Sequence, residues 1–457
     1  MSDVDLIVAG AGAAGFAAAI RAAQNGASVL LAETSPTYEY GSNTSMSTSM
    51  IPAGGSRWQA ERGIDDSPER FRDDVRRKTK GTVDETVLQT LTEVAPELVA
   101  WLADDVGVPL DLVTDFRYPG HSADRQHAVA DRSGRTMLRH LVAALSRYPE
   151  ATLVAPLHLD DVLTDADGTV VGARLSTPDG AVEEVTSANG VVLATNGYGS
   201  DPEMVRRYAP EIADGVYHGG DGSRGDALRI GERLGAGTAL LGAYQGHGAL
   251  AVPYNVLLTW ATVMHGGIVV NVRGERFDDE TIGYSEYGAR VLAQPDRVAW
   301  VVFDGRIHEL CQPFADYQDL MSQGAVRWAD DVAAVADLIG ASPETLEGTL
   351  ASVDRAARGE GDDAFGRISF AAPLAPPYAA VRVTGALFHT QGGLMVDSDA
   401  RVLRPSLEPI RGLYAAGGAA VGMSGDGAAG YLAGNGLLSA LGLGYLAGRH
   451  AVSAPVS

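Results

Sequence analysis

The residues most ready for chemistry stand at the start of the chain. Gly10-Ala-Gly12-Ala-Ala-Gly15 follows the apolar run Asp5-Leu-Ile-Val-Ala9 and opens an alanine-rich stretch. The first glycine allows a tight turn, the second lets a pyrophosphate approach the backbone, and the third lets a helix pack on a strand. The N-H groups of that helix then face the phosphates, Ala13 and Ala14 included. Glu33 stands 18 residues after Gly15, where an acid can accept ribose hydroxyls. The chemistry is dinucleotide binding.

Those residues need a βαβ unit to position them. Asp5–Ala9 reads as a buried strand, Ala13–Asn25 as a helix and Ala27–Glu33 as a second strand. A polar Ser/Thr/Gly loop follows from Thr34 to Ser56. Charged helical patterns cover Ser67 to Asp104, with a capping signature at Ser67-Pro-Glu-Arg, and Thr136–Ser146 reads as another helix. From Ala151 to Glu184 the pattern turns to short strands with turns at Asp165-Ala-Asp-Gly168 and Pro178-Asp-Gly180. Gly190–Ala194 reads as a strand returning to the first sheet. A mixed segment runs from about Leu240 to Ala375, and the remainder is glycine-rich strand, loop and helix, including a helix at Leu437–Ala447.

Composition narrows the classes. The 457 residues carry 35 Lys+Arg against 58 Asp+Glu, a net charge of -23, which argues against nucleic acid or an anionic membrane as partner. With 46% hydrophobic and 20% charged residues, the chain has the balance of a globular protein with a large core. Glycine is in excess, 56 residues, without a G-X-Y period, so collagen is excluded. A single cysteine, Cys311, excludes an intrachain disulfide framework and fits a reducing compartment. The N-terminus carries acid where a signal peptide carries base, and no run suits a spanning helix. A cytoplasmic protein with no membrane insertion is the expectation.

The far end selects the dinucleotide. Gly412-Leu-Tyr-Ala-Ala-Gly417-Gly418 is a strand followed by a glycine turn, and Gly425 to Gly436 leads into an apolar helix. This resembles flavoproteins of the glutathione-reductase type, whose late helix aims its N-terminus at the flavin. Val191-Val-Leu-Ala-Thr195-Asn196-Gly197 resembles their middle strand motif. The resemblance implies FAD, held at Gly10, Gly12, Ala13, Ala14, Gly15, Glu33 and Thr34. It also implies contacts from Thr195, Asn196 and Gly197, from Gly417 and Gly418, and from Gly436, Leu437 and Leu438.

Nearly the whole chain resembles the fumarate reductase / 3-ketosteroid dehydrogenase flavoproteins. The carrying segments are the N-terminal glycine motif, Ser42-Asn-Thr-Ser-Met-Ser-Thr48, Asp221-Gly-Ser-Arg-Gly-Asp226 and Gly267-Ile-Val-Val-Asn271 to Arg276-Phe-Asp-Asp-Glu280. His389-Thr-Gln-Gly-Gly393 and the C-terminal glycine turn complete the set. The resemblance adds Ser42, Asn43, Thr44, Ser47, Thr48 and Asp226 to the cofactor-binding residues. It implies an α/β fold: a Rossmann-like FAD domain with an inserted α+β capping domain. The FAD domain covers 1–239 and 376–457, and the cap covers 240–375. No histidine stands in the Ser42–Thr48 loop to link the flavin covalently, so noncovalent FAD is expected.

Where the family's fumarate reductases carry two arginines, this chain has Tyr284, four residues after Glu280, and Tyr431. Ketosteroid Δ1-dehydrogenases carry tyrosines at both places and a third in a Tyr-Pro loop, which Phe116-Arg-Tyr118-Pro119-Gly120 resembles. The chemistry implied is removal of hydrogen across a C–C bond beside a carbonyl. Tyr431 would donate to that carbonyl, aided by a backbone N-H near Asn435 or Gly436. Tyr284 would be the general base and Tyr118 an assistant. His389 is either a substrate contact or a structural histidine. Arg125 and His127 either bind an acid group of the substrate or lie in a solvated loop. Arg276 and Glu280 are expected to be structural and orienting. Asp278-Asp279-Glu280 lacks the further spacing of a metal site, and no metal is expected.

The function implied is an FAD-dependent desaturase of a cyclic ketone, 3-ketosteroid or 4-oxocyclohexanecarboxylate-like, passing electrons to an external acceptor such as oxygen or a quinone. Two other readings stand beside it: a fumarate-type enoate reductase, and a flavin-binding electron-transfer subunit without turnover.

Overall fold

The computed structural model describes residues 2–115 and 117–453; Phe116 of the Tyr-Pro motif lies outside them. The chain forms two compact units. The first comprises Met1–Ala209, Gly219–Gln245 and His389–Ser457, and the second Pro210–His218 and Gly246–Phe388.

In the first unit, β1 (Leu6–Ala9), α1 (Ala13–Gln24) and β2 (Val29–Ala32) form the expected βαβ unit. β1 is the centre of a six-stranded sheet. On one side it pairs in parallel with β2, and β2 with Ala151–Val154; on the other it pairs with Val191–Leu193, which pairs with Pro409–Ala415. All four residues of β1 are buried, as a parallel strand covered on both faces requires. Ser67, Asp84 and Ser133 cap helices Pro68–Thr79, Glu85–Trp101 and Gly134–Leu145 through their side chains. His158–Thr164, Val170–Ser176 and Val182–Thr186 make a separate antiparallel sheet.

The last helix is longer than its sequence suggests, Asn435–Ser453 rather than Leu437–Ala447. Glycine weakens a helix interior, but here it permits contact with α1. A Cβ on Gly444 would lie 2.2 Å from Ala14 O, and one on Gly448 2.3 Å from Ala18 O. Tertiary packing decides the length.

The second unit is built on a mixed sheet whose main path runs Val256–Leu257, Tyr244–Ala251, Tyr378–Thr390, Val298–Asp304, Ile268–Val270. Every residue of Val298–Asp304 is buried. Ala299, Val301 and Phe303 enter one apolar cluster, and Trp300 and Val302 the other. A strand's two-residue period sends alternate side chains to opposite faces, so the sheet is covered on both. Among the described residues no helix is long and apolar enough to cross a membrane.

Candidate active site and cofactor cradle

The turn after β1 is shaped by its glycines. Gly10 adopts φ 107°, and a Cβ there would meet Ala194 O at 2.3 Å. A Cβ on Gly15 would lie 1.8 Å from Gly10 O, whereas one on Gly12 would meet only Thr44 Oγ1, at 3.4 Å. Gly10 and Gly15 therefore serve the protein's own packing, and the side of Gly12 is left open. Gly12 precedes α1 without a side-chain cap, and the first turn of α1 carries no acid. The Ala13 N-H donates to Thr44 Oγ1 at 2.9 Å, which ties the Ser42–Thr48 loop to the helix start.

Glu33 is held at the end of β2. Its Oε2 accepts the Ala11 N-H and its Oε1 the Ser35 N-H, each at 2.7 Å. A carboxylate has further lone pairs for ribose hydroxyls. Gly418 brings the other turns together: its added Cβ would lie 2.4 Å from Asn196 Oδ1. Asn196, at φ 64°, donates to Ser223 Oγ at 2.8 Å. A Cβ on Gly197 would collide with Thr390 Oγ1 at 1.9 Å. Thr195 Oγ1 is buried without a hydrogen-bond partner among the described residues, and a buried hydroxyl of that kind calls for a ligand or water. An open glycine, a helix start with neither an N-cap side chain nor an acid in its first turn, a fixed carboxylate and an unsatisfied hydroxyl fit FAD.

The other expected cofactor residues sit as follows. Asn43 Oδ1 accepts the Gly220 N-H at 2.6 Å, Ser42 Oγ accepts the Ser45 N-H, and Ser47 Oγ donates to Thr44 O. Thr34 Oγ1 meets His158 Nδ1 on the surface, and Thr48 is exposed. Asp226 opens a helix and pairs with Arg229 at 3.3 Å. Gly417 has φ 65°. Gly436, Leu437 and Leu438 lie in the first turn of the last helix.

The first unit also assembles much of the expected catalytic set. The Tyr431 and His389 rings meet edge-on, centroids 5.9 Å apart. A Cβ on Gly436 would lie 2.9 Å from His389 Cε1 and 3.1 Å from its Nε2. Asn435 is fully buried, and its Oδ1 has no hydrogen-bond partner among the described residues. The Tyr118 loop reaches the same turn: a Cβ on Gly120 would lie 2.5 Å from Leu432 Cδ1. Ala433 O accepts from Gln126 Nε2 at 2.8 Å and lies 3.0 Å from His121 Nε2. Tyr118 itself packs on Met50, Val113 and Ala128.

Arg125 and His127 are not in a solvated loop. Both are fully buried. Arg125 binds Asp66 through Nε and Nη2 and Asp74 through Nη1, with its guanidinium 4.7 Å from the Phe71 ring centroid. An arginine so committed holds the protein's own carboxylates rather than a substrate's. His127 lies 2.8 Å from Ser56 Oγ.

Tyr284 belongs to the second unit, as the first residue of the helix Tyr284–Leu292. His247 stacks on its ring at 5.0 Å and on Phe388 at 5.5 Å. Trp260 meets His247 edge-on at 5.7 Å. Burial pushes the His247 imidazole down to about 3. Its Nδ1 accepts the Ala249 N-H at 3.0 Å, so the neutral ring carries its proton on Nε2. Sequence reasoning missed His247, because one histidine in an apolar strand reads equally well as core.

The Arg276–Glu280 motif anchors the segment before Tyr284. Glu280 is fully buried, takes Arg276 at 2.7 Å and Arg367 at 3.0 Å, and accepts the Val269 N-H at 3.1 Å. Arg276 also pairs with Asp363 at 2.5 Å. Asp279 caps the turn at Thr281, and Asp278 pairs with Arg290. The acidic run is thereby used in structural pairing.

Residues 5–437 match the FAD binding domain family. The NADH:fumarate oxidoreductase of Klebsiella pneumoniae (strain 342) is 31% identical over 451 residues, which is 98% of this chain and 47% of that protein. The chain thus spans about half the length of that relative. An open flavocytochrome c3 fumarate reductase structure matches with TM-score 0.83 and 27% identity, covering 98% of this chain and 78% of that one. A 3-ketosteroid-Δ4-(5α)-dehydrogenase from Rhodococcus jostii RHA1 matches with TM-score 0.78 and 25% identity, covering 99% and 98%. With the glycine cradle in place and the match running almost end to end, the chain belongs to the FAD binding domain family, among the fumarate reductase and ketosteroid dehydrogenase flavoproteins, and FAD is its cofactor.

Proposed function

We propose that the chain is an oxidoreductase that desaturates a cyclic ketone beside its carbonyl. The observation that carries this reading is the pairing of Tyr431 with a half-buried His389, whose imidazole is lowered by desolvation to about 4. A neutral histidine and a phenol are donors suited to an uncharged carbonyl oxygen, where a carboxylate would call for a cation. Bound FAD supplies the hydride acceptor.

In this reading Tyr431 O-H donates to the substrate carbonyl, stabilising the negative charge that grows there as the α proton leaves. Tyr284 takes that proton. It is placed for this as the first residue of the helix Tyr284–Leu292, its ring stacked on His247. Tyr118 assists from the loop packed against Leu432. The electrons pass to a diffusible acceptor such as oxygen or a quinone.

A second reading runs the reaction backwards, with Tyr284 giving a proton to an enoate. Its support is the activity named for the Klebsiella relative. One anaerobic experiment separates the two. The oxidised holoenzyme is mixed with a panel of cyclic ketones, and the reduced holoenzyme with fumarate. Bleaching by a ketone supports desaturation. Reoxidation by fumarate with no ketone response overturns it.

A further inference from the structure

Gln391 stands two residues after His389, nearly fully buried, and belongs to neither the cofactor cradle nor the set of tyrosines. Its backbone is held at both ends: its N-H donates to Ala243 O and its carbonyl accepts the Gly422 N-H, each at 2.8 Å. The side chain therefore has little freedom. Its Oε1 accepts the hydroxyl of the fully buried Ser424 at 3.1 Å, which leaves the amide NH₂ directed the other way. That NH₂ lies 2.9 Å from His389 Nδ1.

We infer that Gln391 is a positioning residue that selects the tautomer of His389, making it a hydrogen-bond donor through Nε2 toward a carbonyl oxygen. An amide NH₂ can only donate, so Nδ1 must keep its lone pair and the ring proton must sit on Nε2. The Nε2 edge faces Gly436, where an added Cβ would come within 3.1 Å of Nε2 and 3.2 Å of Gln391 Nε2. Glycine at 436 keeps that edge uncovered, beside the turn that carries Tyr431. Neither Gln391 nor Ser424 bears charge, and desolvation outweighs the pull of the Thr390 backbone toward a second ring proton. The tautomer assignment stands on its own. The use of the Nε2 proton on a ketone rests on the function proposed above.

The test reads the ring nitrogens directly. Long-range proton–nitrogen spectra are recorded on the FAD-loaded protein labelled at histidine, with His389→Asn used to assign the signal. The native protein is expected to show a protonated Nε2 and a bare Nδ1. In Gln391→Glu a carboxylate replaces the donor and Nδ1 becomes protonated. A native Nδ1-protonated ring, or an unchanged tautomer in Gln391→Glu, overturns the inference.

If Gln391→Glu does not fold, Gln391→Met removes the donor at similar volume. A mixture of tautomers is expected there, and a pure Nε2-protonated ring overturns the inference. These spectra need no substrate, so they stand or fall apart from the ketone reading. With the ketone that bleaches flavin fastest, Gln391→Glu is expected to lower kcat about tenfold or more with a smaller change in KM. An unchanged kcat overturns the role assigned to the Nε2 proton.

Discussion

His247 lies flat against Tyr284, ring centroids 5.0 Å apart and planes 25° from parallel. The two residues come from different elements, a strand and the first turn of a helix. The neutral imidazole supports the phenol ring by stacking and adds no positive charge beside it.

Removing either catalytic hydroxyl tests the proposed division of labour. Tyr284→Phe is expected to slow ketone-driven flavin bleaching by about 10²- to 10⁴-fold, the range of a lost general base. Tyr431→Phe is expected to cost about 10²- to 10³-fold, as for a lost oxyanion donor. Both variants should retain FAD, measured by absorbance after gel filtration. Native rates in the two variants would remove both residues from the mechanism.

The glycine turn makes a contrasting pair. Gly15→Ala places a methyl 1.8 Å from Gly10 O, a backbone atom that cannot swing aside, so folding itself should suffer and the apoprotein should melt lower. Gly12→Ala meets only Thr44 Oγ1, at 3.4 Å. The apoprotein melting temperature should hold while FAD affinity falls tenfold or more, through loss of close backbone approach to the pyrophosphate. Equal FAD affinity in Gly12→Ala and the native protein would contradict the cradle.

Four histidines, three of them buried and His389 half-buried, give stability a pH dependence. Desolvation lowers His121, His127 and His389 to about 4 and His247 to about 3, against about 6.5 for a free imidazole. Between those values the unfolded chain binds more protons than the folded one. Stability therefore rises with pH through that window and is lost as pH falls from about 6.5 toward 4. Melting temperature measured across that range should drop steadily, and the slope should be shallower in His127→Gln. An identical slope in that variant would show that His127 does not contribute.

Much of the first unit is legible in the sequence because its signals are local. The spacing of Gly10, Gly12 and Gly15 and the acid at Glu33 belong to one turn and the ends of two adjoining strands. The apolar runs on either side have the length of buried strands. Ser67 announces a helix start because capping acts within one turn. The last helix was legible in kind but not in length, since its glycines make sense only against Ala14 and Ala18 of α1.

What the sequence by itself determined is therefore the cradle: a βαβ unit, a glycine turn and a terminal acid, each set by neighbours a few residues apart. The tertiary structure alone decided which distant groups share an environment. It set His247 against Tyr284, placed Gln391 at His389, and committed Arg125 to Asp66 and Asp74 rather than to a substrate. Such pairings depend on long-range packing and burial, and burial changes both the proton and the partner that a side chain can keep. Residue type and spacing along the chain do not encode that.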